Sequence, residues 1–172
     1  TLYAEVEQDT ALLSINTIQK SMTDKDPVTR STAINAISGI NISSIFPIVV
    51  LCLKRTAGDA SPHVRAAAAL SISNLYGEEE LGRSNKKQLF ELLVKLLGDS
   101  STFVVSAALK TLRNIRPDVV AAKFWQPIHR HYRKVCRILP QLDEWSQLIA
   151  IDLLTDYTKL YISRPKLYFL DG

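Results

Sequence analysis

The chain has 172 residues, a net charge of +4, 47% hydrophobic and 22% charged residues, and only 6 glycines; that balance belongs to a globular fold and excludes disordered and collagen-like chains. Its longest apolar run, Ile45 to Leu53, is far shorter than the ~20 residues a membrane-spanning helix needs, and no basic segment leads into an apolar stretch at the N-terminus, so neither a span nor a signal peptide is expected. The two cysteines, Cys52 and Cys136, show no CxxC spacing; they point to neither a disulfide framework nor a zinc site and fit a reducing cytosolic location.

Taken in chain order, the apolar spacing predicts helices throughout. Thr10 to Lys20 carries Leu12, Leu13, Ile15 and Ile18, and Asp26-Pro27 then opens a second helix, a capping side chain before a proline whose fixed φ suits the first helical position. Ser44 to Ala57 carries Ile45, Ile48, Val49, Cys52 and Leu53, and Ser61-Pro62 opens its partner. A long link, Gly77 to Asn85, holds Glu78, Glu79 and Glu80 and reads as a solvated rim. Lys86 to Leu97 is stopped by Gly98, and a helix follows from the capping residue Ser101. Gln126 to Leu139 is ended by Pro140, and the last helix starts at Asp143. Residues 163–172 read as an irregular tail, and Thr1 reads as the end of an earlier helix, so the chain is expected to be one solenoid fragment.

Four of these segments align: DPVTRSTAINAIS from Asp26, SPHVRAAAALSIS from Ser61, STFVVSAALKTLR from Ser101 and DEWSQLIAIDLLT from Asp143. One position holds Ala33, Ala68, Ala108 and Ala150; four residues on stand Ile37, Ile72, Leu112 and Leu154; three further on stand Ile40, Leu75, Ile115 and Tyr157. The segments are 35, 40 and 42 residues apart, near the ~40–47 residue period of HEAT and armadillo repeats. Alanine is a good helix former, but propensity alone predicts no periodic recurrence; close crossing of neighbouring helices does, because only a small side chain fits there. The expectation is an all-α, right-handed α-α superhelix of the HEAT/armadillo kind, about four helical hairpins long.

Arg30 and Arg65 each follow a turn proline by three residues. HEAT repeats commonly link an aspartate in the turn to an arginine in the second helix, so Asp26, Arg30 and Arg65 are assigned to a structural ladder, with Asp24, Asp26, Asp59 and Asp99 as available acceptors. Val105 and Gln147 hold the equivalent positions later on, so a ladder stops after the second repeat.

Catalytic motifs are missing: there is no GxGxxG, GxxxxGK[ST], HExxH or GxSxG. His129 and His131 stand two apart and diverge on a helix, so they do not form a metal pair. No enzyme activity, metal or cofactor is expected. Within HRHYRKVCR, Arg130, Arg133, Lys134 and Arg137 are spaced i, i+3, i+4, i+7, a basic stripe that can meet acidic lipid or an acidic partner, though a solvated face has the same pattern. Tyr132 falls on the apolar side, so the aromatic interleaving of single-stranded nucleic-acid binders is lacking and no nucleic-acid partner is expected.

The block IHRHYRKVCRILPQLDEWSQLIAIDLLTDY, Ile128 to Tyr157, resembles the β-adaptins, the large β subunits of heterotetrameric vesicle adaptor complexes. Asn16, Asp26-Pro27 and Arg30 match the asparagine helix, aspartate-proline turn and arginine helix of their N-terminal trunk. IFPIVVLCLKRTAGDASPHVRAAAA and YRKVCRILPQLDEWSQ are most similar to the β subunits of adaptor protein complex 3. The resemblance implies a scaffold for protein transport and cargo sorting, cytoplasmic and peripheral on Golgi and endosomal membranes and transport vesicles. Its implied partners are a second large adaptin, a medium and a small chain, with an Arf-family GTPase as recruiter. Another HEAT scaffold, a vesicle-coat or nuclear-transport subunit, is the competing reading.

Overall fold

The computed structural model describes residues 8–40, 42–116, 122–126 and 128–162. The expected tail, 163–172, and the side chains of Leu12 and Leu13 lie outside what is described. Helices α1 (Gln8–Ser21) and α2 (Pro27–Ser38) form the first hairpin, α3 (Phe46–Thr56) and α4 (Pro62–Tyr76) the second, and α5 (Gly82–Leu97) and α6 (Thr102–Ile115) the third. The fourth pairs α7 (Ala122–Trp125) and α8 (Tyr132–Ile138) with α9 (Glu144–Tyr161). Among the described residues there is no strand, and the architecture is a helical solenoid.

The second helices stack on one another, and the alanine register is the reason. Ala66, Ala67, Ala68 and Ala69 in α4 and Ala107 and Ala108 in α6 are all buried, and Ile37, Ile72 and Leu112 are no more than 1% exposed. With no side chain beyond Cβ at the crossing, the backbones come close enough for Thr111 Oγ1 to donate to the Ala69 carbonyl of the previous repeat at 2.8 Å. The first helices form the outer layer, joined to the inner one by Val49, Leu53, Leu89, Leu93 and Leu97 in a continuous core.

Three local expectations need correction. Ser61 and Ser101 make no side-chain cap; their own N–H groups donate instead to Asp59 Oδ1 and Asp99 Oδ1, at 2.8 and 2.9 Å. The true caps are Asp26, which accepts from the N–H groups of Val28 and Thr29, and Asp143, which accepts from that of Ser146. The long link is also shorter than expected. Glu79–Leu81 forms a 3-10 turn, α5 starts at Gly82, and Leu81 is 1% exposed, so an apolar anchor holds what read as a solvated rim. Gly82 has φ +75°, a backbone conformation that a Cβ disfavours.

The third correction concerns Gln126 to Leu139, expected as one helix. Turns occupy residues 128–131 and the helix begins only at Tyr132. The N–H groups of Ile128 and His131 donate to carbonyls three residues back, at 2.9 and 2.8 Å, and i to i−4 bonding resumes with Val135 to His131. Trp125, Ile128 and Val135 are all buried along this path.

Candidate interaction surface

The arginines of the expected ladder form cross-repeat clamps. Arg30 donates from Nε and Nη2 to the two carboxylate oxygens of Asp59, both at 2.8 Å, and from Nη1 to the carbonyls of Asp24 and Lys25. Arg65 repeats the arrangement one hairpin later, to Asp99 at 2.7 and 2.9 Å and to the carbonyls of Asp59 and Ala60. The planar guanidinium matches a carboxylate with two parallel bonds, so each arginine closes its own turn and grips the next. The Asp26 carboxylate does not bond the Arg30 guanidinium; it caps α2, and Arg30 meets Asp26 only through its own N–H, which donates to the Asp26 carbonyl at 3.2 Å. The hydrogen bond from Arg30 holds the Asp59 carboxyl below its ordinary range. At Asp99 burial pushes upward, but the bonds from Arg65 and the Ser101 N–H outweigh it and leave the group lowered as well.

At the third repeat Val105 is buried and makes no such clamp. Lys134 Nζ donates there to the Asp99 carbonyl. In the fourth, Gln147 Nε2 donates to the Leu142 carbonyl at 3.0 Å, keeping the arginine's hold on its own turn.

The basic stripe is divided by the same turns. Arg130 precedes the helix, and Lys134 is directed at Asp99. Arg133 lies over the Tyr132 ring, 5.7 Å from its centroid, and donates to its Oη. Arg130, Arg133 and Arg137 are exposed, so three of the four present charge to solvent, in no single helical row.

Two features escaped the sequence reading. An aromatic cluster fills the fourth repeat: Tyr157 stacks between Tyr132 and Tyr161, at 5.0 and 4.9 Å, meets Trp125 edge-on at 6.0 Å, and hydrogen-bonds His129 Nδ1 through its hydroxyl. The only hint was Tyr157 in a register otherwise held by Ile40, Leu75 and Ile115. The other is a row at the second position of each inner helix. Val28, Phe103 and Trp145 are 67%, 54% and 73% exposed, and the ring of His63, also exposed, meets Phe103 edge-on at 5.1 Å. Periodic residues that stay uncovered form a surface suited to contact. Among the described residues no three His, Cys, Asp or Glu side chains gather to hold a metal, and no helix is long and apolar enough to cross a membrane.

The family described as the adaptin N-terminal region matches residues 1–171. The chain belongs to the adaptin N-terminal family. Among its relatives, the AP-3 complex subunit beta of Dictyostelium discoideum is 40% identical over 163 residues, covering 95% of this chain and 14% of that protein. That of Schizosaccharomyces pombe is 39% identical over the same length, 21% of its own, and the AP-3 complex subunit beta-2 of Mus musculus is 37% identical, over 14% of its own. This adaptin chain thus spans a seventh to a fifth of the relatives it matches. A crystal structure of an engineered protein superposes with a TM-score of 0.59 at 21% identity, covering 83% of this chain and 62% of that one. That likeness concerns the fold alone.

Proposed function

We propose that this chain is trunk of a scaffold subunit in a heterotetrameric vesicle adaptor complex, of the β type, acting in protein transport and cargo sorting. The observation that carries the reading is the adaptin match across residues 1–171, joined to relatives named as AP-3 beta subunits. The geometry supports it: a stack clamped from turn to turn presents long surfaces, and a solenoid of this kind works by embracing partners. Those partners are a second large adaptin, a medium chain and a small chain. An Arf-family GTPase recruits the assembly to Golgi and endosomal membranes, and the exposed Arg130, Arg133 and Arg137 add attraction to acidic headgroups. The test is affinity capture of the endogenously tagged protein from cytosol. Stoichiometric recovery of three further adaptor subunits, lost when residues 10–160 are deleted, is the expected result. Capture of transport-receptor cargo, of nucleic acid, or of nothing would defeat the reading while leaving the fold intact.

A further inference from the structure

The seams between successive repeats are held in two ways. Between the first and second repeats Ser71 Oγ donates to Asn35 Oδ1 at 3.0 Å. Between the second and third, Thr111 Oγ1 donates to the Ala69 carbonyl at 2.8 Å and Asn114 Nδ2 to Ser73 Oγ at 3.3 Å. Each of these bonds joins one inner helix directly to the next. At the turns the same two seams carry the Arg30–Asp59 and Arg65–Asp99 clamps, whose side chains are 12–16% exposed. Two parallel bonds fix both the separation and the angle of the groups they join, so the first three repeats are tied along the helices and at the turns.

The third seam, α6 on α9, is built otherwise. Its middle is apolar: Leu109 and Leu112 line a cavity of about 20 Å³ with Leu153, Leu154 and Tyr157. Apolar contact has no preferred direction, and a void leaves the side chains around it without partner atoms on one side. The ion pairs stand at the ends of the seam, Lys110 with Asp143 at 3.8 Å and Arg116 with Asp152 and Asp156, and their side chains are 25–45% exposed. Val105 occupies the register of the clamp arginines. The fourth repeat is bound together from within, because Tyr157 of α9 stacks on Tyr132 of α8 and meets Trp125 of α7 edge-on.

We propose that the solenoid bends at the seam between α6 and α9, the first three repeats moving as one body and the fourth as another, with the ion pair of Arg116 limiting the bend. The apolar middle slides while the long side chains at the ends keep hold, which is shear between packed helices. A bend at one seam changes the curvature of the inner face without unfolding any repeat. It follows from the packing alone, so it stands or falls separately from the adaptor reading.

The test is pulsed electron resonance on spin-labelled pairs in the 172-residue chain, with Cys52→Ala throughout and Cys136→Ser wherever Cys136 is not itself the label site. Val28→Cys with Phe103→Cys spans the first two seams, and His63→Cys with Trp145→Cys spans the second and third. All four positions are exposed and share one register, two repeats apart. Cys136 with Lys159→Cys lies within the fourth repeat and separates movement of a body from fraying of its helices. Circular dichroism verifies that each labelled chain stays helical. The His63–Trp145 distance distribution is expected to be about twice as wide as that of Val28–Phe103, with Cys136–Lys159 as narrow as the latter. Arg116→Ala should widen the His63–Trp145 distribution further and leave the other two unchanged. Four outcomes overturn the proposal: equal widths for the two long pairs, a Cys136–Lys159 distribution as wide as His63–Trp145, no response to Arg116→Ala, or a response shared by all three pairs.

Discussion

The first three repeats and the fourth solve the same packing problem differently. Where α4 meets α2 and α6 meets α4, the faces toward the preceding repeat carry Ala67 and Ser71, then Ala107 and Thr111, and the backbones approach closely. Where α9 meets α6, the corresponding residues are Ile149 and Leu153, and the bulkier side chains hold the helices apart. The wider space is filled by aromatic rings from α7, α8 and α9. Ion pairs differ in the same way. The early turns share the half-sealed clamps Arg30–Asp59 and Arg65–Asp99, whereas α6 and α9 are joined at their more open edges by Arg116 with Asp152 and Asp156 and by Lys110 with Asp143. Small residues make a seam that is uniform and repeatable; large ones make a junction that is specific to one place.

If that contrast is right, Tyr157→Ala should be the most damaging single change. It empties the centre of the aromatic cluster and should cost about 3–5 kcal/mol, by analogy with large aromatic truncations, read as a fall in the denaturation midpoint. A loss under about 1 kcal/mol would mean that the fourth repeat is not held by its rings. Overpacking should be the specific weakness of the alanine seam. Ala68→Leu is expected to destabilise by about 1–3 kcal/mol, and unchanged stability would show that α4 is not closely crossed.

A smaller effect is expected at Gly98. Its φ of −83° is one any residue adopts, but an added Cβ would stand 2.9 Å from His131 Cε1 and 3.1 Å from the Lys95 carbonyl. Gly98→Ala should therefore destabilise by about 1 kcal/mol, and His131→Ala in the same chain should recover part of the loss. Additive losses would place the strain on the Lys95 side instead.

The clamps give the comparison a pH dependence. Asp59 and Asp99 are lowered in the folded chain, so the unfolded chain binds more protons as the pH falls toward about 4, the ordinary carboxylate value. Their contribution is complete above that value and is lost progressively as pH drops through the lower folded values. Asp59→Asn with Asp99→Asn should flatten the acid limb of a stability–pH curve, and an unchanged limb would show that the clamps do not contribute to it. At the surface of the fourth repeat no loss of stability is expected: reversing Arg130, Arg133 and Arg137 to Glu should weaken sedimentation with acidic vesicles while leaving helicity unchanged, each charge being worth about 1 kcal/mol near an anionic surface. No change in sedimentation would leave these arginines as a solvated face.

Helix type, repeat period and the alanine line were legible in the residues because each depends on local spacing: the 3.6-residue turn and the need for small side chains where helices cross recur in every repeat. Arginine positions were legible too, but not their partners, since Arg30 reaches 29 residues ahead to Asp59 and past the nearer Asp26. Which aspartate caps and which one clamps depends on where the next turn lies in space. The division of the basic stripe, the burial of Leu81 and the gathering of Trp125, Tyr132 and Tyr157 were likewise decided by the tertiary structure. Each joins residues from separate elements, whose mutual distance is set by packing and leaves no periodic trace in the chain.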